Sequence, residues 1–387
     1  MIDFVEEKKE FSAGVSIKVL GIGGAGGNTV NSMIDAGFEG IDFIVANTDA
    51  QALHLSKARN KIQLGVKSTK GLGTGANPEL GKRAAEEDLE KVMEALEDAD
   101  IVFLTGGMGG GTGSGALPVV AHALKEKGIL SIAVVTKPFV FEGKRRAQVA
   151  ENSLELLKKE IDTLIIMPNQ KLLDVVDKHV SMIDAFAMIN EVLNRSVKGI
   201  ADIIAKTGHM NVDFADVRTI MKDMGLAVMG TGRASGEDRA ELAAMEAIES
   251  PLLENMSIAG ARGVLLNITG GKNLGLHEIR QAANIIYEQA DENANIILGS
   301  VIDDSLTDEV IVTVIATGFE SKNAQECKKQ EEPMPVKATI KDGSMQYEKV
   351  MPDYKKEEAK KYELSSVDDL DIPTFMRKKE GTTGRID

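Results

Sequence analysis

Three observations predict that the first half of this chain folds as a doubly wound, parallel α/β sheet. Short apolar runs alternate with helix-compatible segments, the runs are apolar on both faces, and glycine-rich or turn-rich stretches follow them directly. The runs are Ile17-Lys18-Val19-Leu20, Asp42-Phe43-Ile44-Val45-Ala46, Ile101-Val102-Phe103-Leu104, Ser131-Ile132-Ala133-Val134-Val135 and Thr163-Leu164-Ile165-Ile166-Met167. In such a sheet, ligands sit outside the carboxyl ends of the strands. Those ends carry Gly21-Ile22-Gly23-Gly24-Ala25-Gly26-Gly27-Asn28, Asn47-Thr48-Asp49, Gly106 to Gly115, Lys137-Pro138-Phe139 and Pro168-Asn169. Several strand ends are therefore expected to converge on one site.

The stretch Gly106 to Gly115 holds seven glycines in ten residues and runs into a helix-compatible segment, Ala116 to Lys127. Glycine removes the Cβ restriction and lets backbone N–H groups crowd around one guest, so the loop reads as an anion cradle feeding a helix N-terminus. A phosphate chain is the expected guest. Gly21, Gly23 and Gly26 also satisfy a G-x-G-x-x-G pattern, which raises a dinucleotide-dependent oxidoreductase as a rival reading. A second, richer glycine loop would be redundant for one pyrophosphate, and no histidine or lysine is placed for hydride chemistry. Gly81-Lys82, Gly143-Lys144 and Gly271-Lys272 lack a following Ser or Thr, so no Walker A loop is present.

Beyond the first half, Ile183, Phe186, Ile189, Leu193, Val197, Ile200 and Ile204 recur at helical spacing and predict a helix from near Asp184 to Lys206, stopped at Thr207-Gly208. Leu226 to Met229, Gly263 to Ile268, Asn295 to Leu298 and Val310 to Ile315 read as strands, with helices near Glu237 to Ile248 and Leu276 to Gln289. This is a second, smaller α/β domain with a mixed sheet. After Phe319 the composition turns polar and charged, as expected for a disordered tail. The expected organisation is a flexible segment 1–14, a nucleotide-binding domain 15–180, a central helix 181–206, a second domain 207–319, a linker 320–366 and a terminal peptide 367–387. Within that peptide, Leu370-Asp371-Ile372-Pro373-Thr374-Phe375-Met376 is an apolar island suited to docking in a partner's groove.

Charge and cysteine usage narrow the class. Of the formal net charge of −15, residues 1–319 carry −14, from 31 basic and 45 acidic side chains. Such a surface disfavours binding to a nucleic-acid backbone, so phosphates are expected to be held by backbone amides and a metal ion. One cysteine, Cys327, excludes an intrachain disulfide, and the five histidines fall in no metal-ligand spacing. The charged start from Met1 to Glu10 lacks an apolar signal core, so a cytoplasmic location is expected.

Together, Gly21 to Asn28, Gly71-Leu72-Gly73-Thr74-Gly75-Ala76-Asn77-Pro78, Gly109 to Gly115, Asn211-Val212-Asp213-Phe214-Ala215-Asp216 and the tail peptide resemble the FtsZ family of the tubulin superfamily. The likeness is collinear from about Val15 to Phe319 and resumes at the tail. It implies a GTPase that assembles into homopolymeric filaments and scaffolds the bacterial division ring at midcell. It further implies GTP/GDP with Mg2+, partners such as FtsA docking on Asp371, Ile372, Pro373, Phe375 and Met376, and contact with membrane only through partners. A GTP-binding scaffold without turnover is the remaining alternative.

Carried onto matching positions, the resemblance puts Gly23, Gly24 and Asn28 at the phosphates and Asp49 near a hydrated metal. Gly75 and Ala76 would close over the γ-phosphate, and Gly110, Gly111, Thr112 and Gly113 would cradle the α- and β-phosphates. Glu142 and Arg146 would meet the ribose and phosphate side, and Asn169, Phe186 and Asn190 the guanine. No direct protein ligand to a metal is singled out. Read without the resemblance, Phe186 could be core, Asn28 and Asn47 cap or turn residues, and Asp213 a helix N-cap. Three positions depart from the commoner family pattern: Ser114 for Thr, Asn190 for Asp and Met376 for Leu. An amide offers one neutral oxygen where a carboxylate offers two, so Asn190 bears on base selectivity.

If Phe186 and Asn190 mark the nucleotide end of the central helix, then Asn211, Asp213 and Asp216 lie beyond its other end, about 33 Å away by helix rise. Paired carboxylates at i and i+3 can orient or deprotonate an attacking water. Their useful place is then the site of a neighbouring subunit, in a head-to-tail contact that propagates as a filament.

Overall fold

The computed structural model describes residues 14–171, 179–205, 212–250, 258–319, 336–341 and 344–349. The chain divides into two units, Met1–Lys322 and Asn323–Asp387. The strands of the first are β1 Ile17–Ile22, β2 Ile41–Asn47, β3 Asn60–Gln63, β4 Ile101–Gly107, β5 Leu130–Lys137, β6 Thr163–Pro168, β7 Gly225–Ser235, β8 Gly263–Gly270, β9 Asn295–Ile302 and β10 Glu309–Thr317. They form one sheet in the order β3-β2-β1-β4-β5-β6-β7-β10-β8-β9. The first six pair in parallel, and Ile17 of β1 lies between Ile41 of β2 and Ile101 of β4. Strand order therefore reverses between β1 and β4, which opens a crevice at their carboxyl ends.

Helices α1 Gly23–Asp35, α2 Ala50–Leu55, α3 Val66–Thr69, α4 Pro78–Glu87, α5 Leu89–Ala95, α6 Thr112–Lys127 and α7 Lys144–Glu160 connect these strands. Burial on both faces explains the unbroken apolar runs: in β4, Ile101 and Phe103 enter one core while Val102 and Leu104 enter the other. The first core lies against α1 and the central helix, and the second against α4 to α7.

The central helix, Met182–Ala205, is 24 residues long and buries Ala185, Ile189, Leu193, Val197, Ile200 and Ala201 as one stripe. At 1.5 Å per residue it spans about 36 Å. The second half continues the same sheet, because β6 pairs in parallel with β7 from Thr163↔Gly225 to Ile165↔Ala227. Beyond that seam the sheet is mixed: β10 is antiparallel to β7 and β8, and β8 is parallel to β9. Helix Arg239–Ile248 fits closely there by turning Ala240, Ala243, Ala244 and Ala247 into a third core.

Several elements exceed the sequence reading. The edge strand β3 and helices α2 to α5 were not read; β3, α2, α3 and α5, of four to seven residues, are too short to carry a period. In the stretch expected to be a linker, the structure describes an antiparallel pair, β11 Val336–Lys341 with β12 Ser344–Lys349. Residues 1–13 and the tail peptide, with Asp371, Ile372, Pro373, Phe375 and Met376, lie outside the described residues.

Candidate functional site

The crevice at the switch point is a cleft of about 510 Å³ walled by both glycine loops, the end of β5, the start of α7 and the first turns of the central helix. Gly23, Gly24, Asn28, Gly110, Gly111, Thr112, Gly113, Glu142, Arg146, Asn169, Phe186 and Asn190 all line it. Residues drawn from five separate stretches of sequence are thus brought together. Asp49, Gly75 and Ala76 are not part of this wall. Asn211 lies outside the described residues.

The polarity of the cleft comes from the backbone. Helices α1 and α6 both begin here, and neither has a side chain capping its first amides. Their starts touch: a Cβ on Gly23 would lie 3.2 Å from the Gly113 nitrogen. Two helix N-termini with unspent N–H groups favour an anion, each end carrying roughly half a positive charge. The charged side chains on the wall are Glu142 and Arg146, paired at 2.5 Å, with the other Glu142 oxygen accepting from Phe139 N at 2.9 Å.

Close packing fixes the signature loop. A Cβ on Gly111 would meet Thr74 Oγ1 at 2.1 Å and Asn77 N at 2.8 Å, whereas one on Gly110 would meet nothing within 4 Å. Gly111 is pinned against the turn before α4, while Gly110 faces the open cleft. Gly109 N donates to Ser114 Oγ at 2.9 Å, so the hydroxyl of Ser114 holds the turn from inside the loop. Thr112 Oγ1 lies 2.7 Å from Thr48 Oγ1 and 3.4 Å from Thr74 Oγ1, joining the head of α6 to the segments beside Asp49 and Gly75. Asp49 itself caps α2 by accepting from Gln51 N and Ala52 N. Asn47 holds the preceding turn, accepting from Asp49 N at 3.2 Å. Sequence reasoning missed Thr29, Thr48 and Thr74, because an isolated threonine carries no period.

The far end of the cleft is aromatic and amide-lined. Phe186 is 41 % exposed and meets Phe139 edge-on at 5.7 Å, while Phe141 stacks on Phe139 at 4.8 Å. Phe186 is therefore a cleft residue and not core. Asn169 is 5 % exposed, and its Oδ1 is buried without a hydrogen-bond partner. Such an atom is costly to leave unpaired, so the site fits a guest that donates a proton there.

Asp213 and Asp216 lie elsewhere, both exposed at the start of helix Phe214–Met221. Asp213 holds the N-cap position without a side-chain cap bond. The helix is tied to the amino ends of the strands: Arg218 Nη2 donates to Gly128 O at 3.0 Å, ahead of β5, and Thr163 Oγ1, opening β6, donates to Met221 O. Val212 and Ile203 both lie against Gly299. From Asn190 to Ile203 the central helix rises about 20 Å. The two carboxylates and the cleft thus occupy opposite poles of the sheet.

An anion cradle at a sheet's switch point, with an aromatic side chain and the amides of Asn169 and Asn190 beyond it, defines a nucleotide-binding α/β protein. Residues 16–177 match the Tubulin/FtsZ family, GTPase domain, and residues 225–320 match the FtsZ family, C-terminal domain. A solved structure of an empty FtsZ dimer from M. jannaschii is 40% identical, covers 88% of this chain and 94% of that one, and superposes with a TM-score of 0.74. A point mutant of the same protein gives 40% identity, 87% and 96% coverage and a TM-score of 0.75. The chain belongs to the FtsZ family. GDP-bound CetZ1 from Haloferax volcanii, 23% identical with 81% and 98% coverage and a TM-score of 0.69, shares the fold. The family assignment sets aside the oxidoreductase reading of Gly21, Gly23 and Gly26.

Proposed function

We propose that the chain binds GTP in this cleft and hydrolyses it only when a second copy docks its opposite pole there, so that copies stack head to tail into a filament. The observation that carries this reading is the separation of cleft and carboxylates to opposite ends of one sheet. Asp213 and Asp216 cannot reach the phosphates of their own chain. In a stacked pair they meet the neighbour's γ-phosphate, where they orient the attacking water and accept its proton. Such a contact uses two different surfaces and propagates instead of closing.

On this reading the amides of Gly110, Gly111, Thr112 and Gly113 hold the α- and β-phosphates, with Gly23, Gly24 and Asn28 opposite. Gly75 and Ala76 close over the γ-phosphate, Phe186 covers the base, and Asn169 and Asn190 read its edge. Among the described residues no cluster of three acidic, His or Cys side chains could hold a metal. On the same reading Mg2+ would enter on the phosphates and their waters, Asp49 would hold it through water, and the ion would neutralise phosphate charge. The filament would serve as the scaffold of a cytoplasmic division ring, and Asp371 to Met376 would recruit division proteins such as FtsA.

Asp213→Ala is the direct test: it should bind GTP with unchanged affinity while phosphate release falls by at least about 100-fold, the scale of a lost general base. Loss of binding instead would place the motif in the wrong role.

A further inference from the structure

One proton at the base end of the cleft decides which way an amide faces. Thr29, on α1 and 2 % exposed, places its hydroxyl 3.0 Å from Ala25 O and 3.2 Å from Asn190 Oδ1. A hydroxyl has a single proton, so both contacts cannot be donated. Ala25 O is the nearer acceptor and lies one turn back on the same helix, where threonine hydroxyls readily donate to the i−4 carbonyl. The hydroxyl then offers Asn190 only lone pairs. The Asn190 amide is satisfied when turned by half a rotation, bringing its NH2 to Thr29, because the two ends of an amide are equivalent in shape. Its oxygen is then left for the cleft, whose wall includes Asn190.

Asn169 lines the same cleft with a buried, unpartnered Oδ1. We infer that Thr29 is a positioning residue that fixes the Asn190 amide with its oxygen toward the base, so that the cleft presents two amide oxygens to one base edge. This rests on the nucleotide reading above and adds the source of base discrimination. A 2-amino-6-oxopurine carries two neighbouring donors, N1–H and the 2-amino group, and fills both acceptors. A 6-oxopurine without the amino group fills one, and a 6-aminopurine presents an acceptor at N1 where a donor is required. The sequence signal was a lone threonine one residue past Asn28, which has no meaning until the central helix is packed beside it.

The test is equilibrium binding of GTP, ITP and ATP to the full chain as wild type, Thr29→Val and Thr29→Ser, and to Asn190→Asp with and without Thr29→Val. Wild type should prefer GTP to ITP by roughly 3- to 10-fold, the scale of one neutral hydrogen bond, and should bind ATP more weakly still. Thr29→Val keeps the shape but loses the lone pairs, so its GTP affinity should fall to that for ITP. Thr29→Ser should keep the preference. In the Asn190→Asp background both oxygens are equivalent, so Thr29→Val should leave the GTP/ITP ratio unchanged. An equal loss for GTP and ITP in Thr29→Val, or a GTP/ITP ratio that Thr29→Val changes in the Asn190→Asp background, would overturn the inference while leaving nucleotide binding intact. A wild type that binds no GTP would overturn the nucleotide reading, and this inference with it.

Discussion

Adjacent glycines in the signature loop have opposite reasons to be glycine. Gly111 has no room for a methyl group, with Thr74 Oγ1 at 2.1 Å from its position, whereas Gly110 has open space on the cleft wall. Gly111→Ala is expected to cost about 1–3 kcal/mol of stability by overpacking, measurable as a lower urea midpoint. Gly110→Ala should leave that midpoint unchanged and weaken GTP binding instead. Composition alone announced the loop as a phosphate cradle but could not separate these two roles, since the difference lies in what packs behind each residue. Phe186 shows the same limit. Its place on the apolar stripe of the central helix is equally consistent with core or cleft, and only its contact with Phe139 and its exposure decide. Thr48, Thr74 and Thr112 meet from three distant segments, a juxtaposition that no local pattern encodes.

Long apolar elements were legible and short polar ones were not. Helix α6 begins at Thr112, inside the glycine loop, because its first turn gains a hydrogen bond from Gly115 N to Gly111 O that composition does not reveal. The β11/β12 pair had a readable signal in the sequence, Asp-Gly between two alternating stretches, a strong short-range mark of a hairpin. In the second half, helix Arg239–Ile248 is joined to helix Leu276–Gln289 by an ion pair, Arg239 Nε to Glu278 Oε1 at 2.7 Å, with Arg239 only 5 % exposed. The hydrogen bond from Arg239 holds the Glu278 carboxyl below its ordinary range, outweighing desolvation, which acts the other way. A depressed folded value means that this contribution is complete above the ordinary carboxylate range and is lost as pH falls through the lowered value. Glu278→Gln should therefore lower the urea midpoint at pH 7, and the gap from wild type should narrow as the pH is taken below 4.

At the scale of the whole molecule, the sheet is a polar object. Its carboxyl ends gather the cleft, its amino ends hold the helix that starts at Asp213, and the seam between β6 and β7 makes one body of both halves. That polarity was legible in outline, because the length of the central helix, with Phe186 and Asn190 at its nucleotide end, already set Asp213 and Asp216 far from the glycine loops. The unbroken sheet was not legible, since a three-residue parallel seam leaves no mark on either strand. No helix among the described residues is long and apolar enough to cross a membrane. The proposed shared site makes hydrolysis a property of pairs of chains. The most direct measurement is GTP turnover per chain as the protein is diluted. Turnover should be steady at high concentration and collapse below a threshold where chains no longer meet; a turnover per chain that stayed constant through that dilution would contradict the shared site.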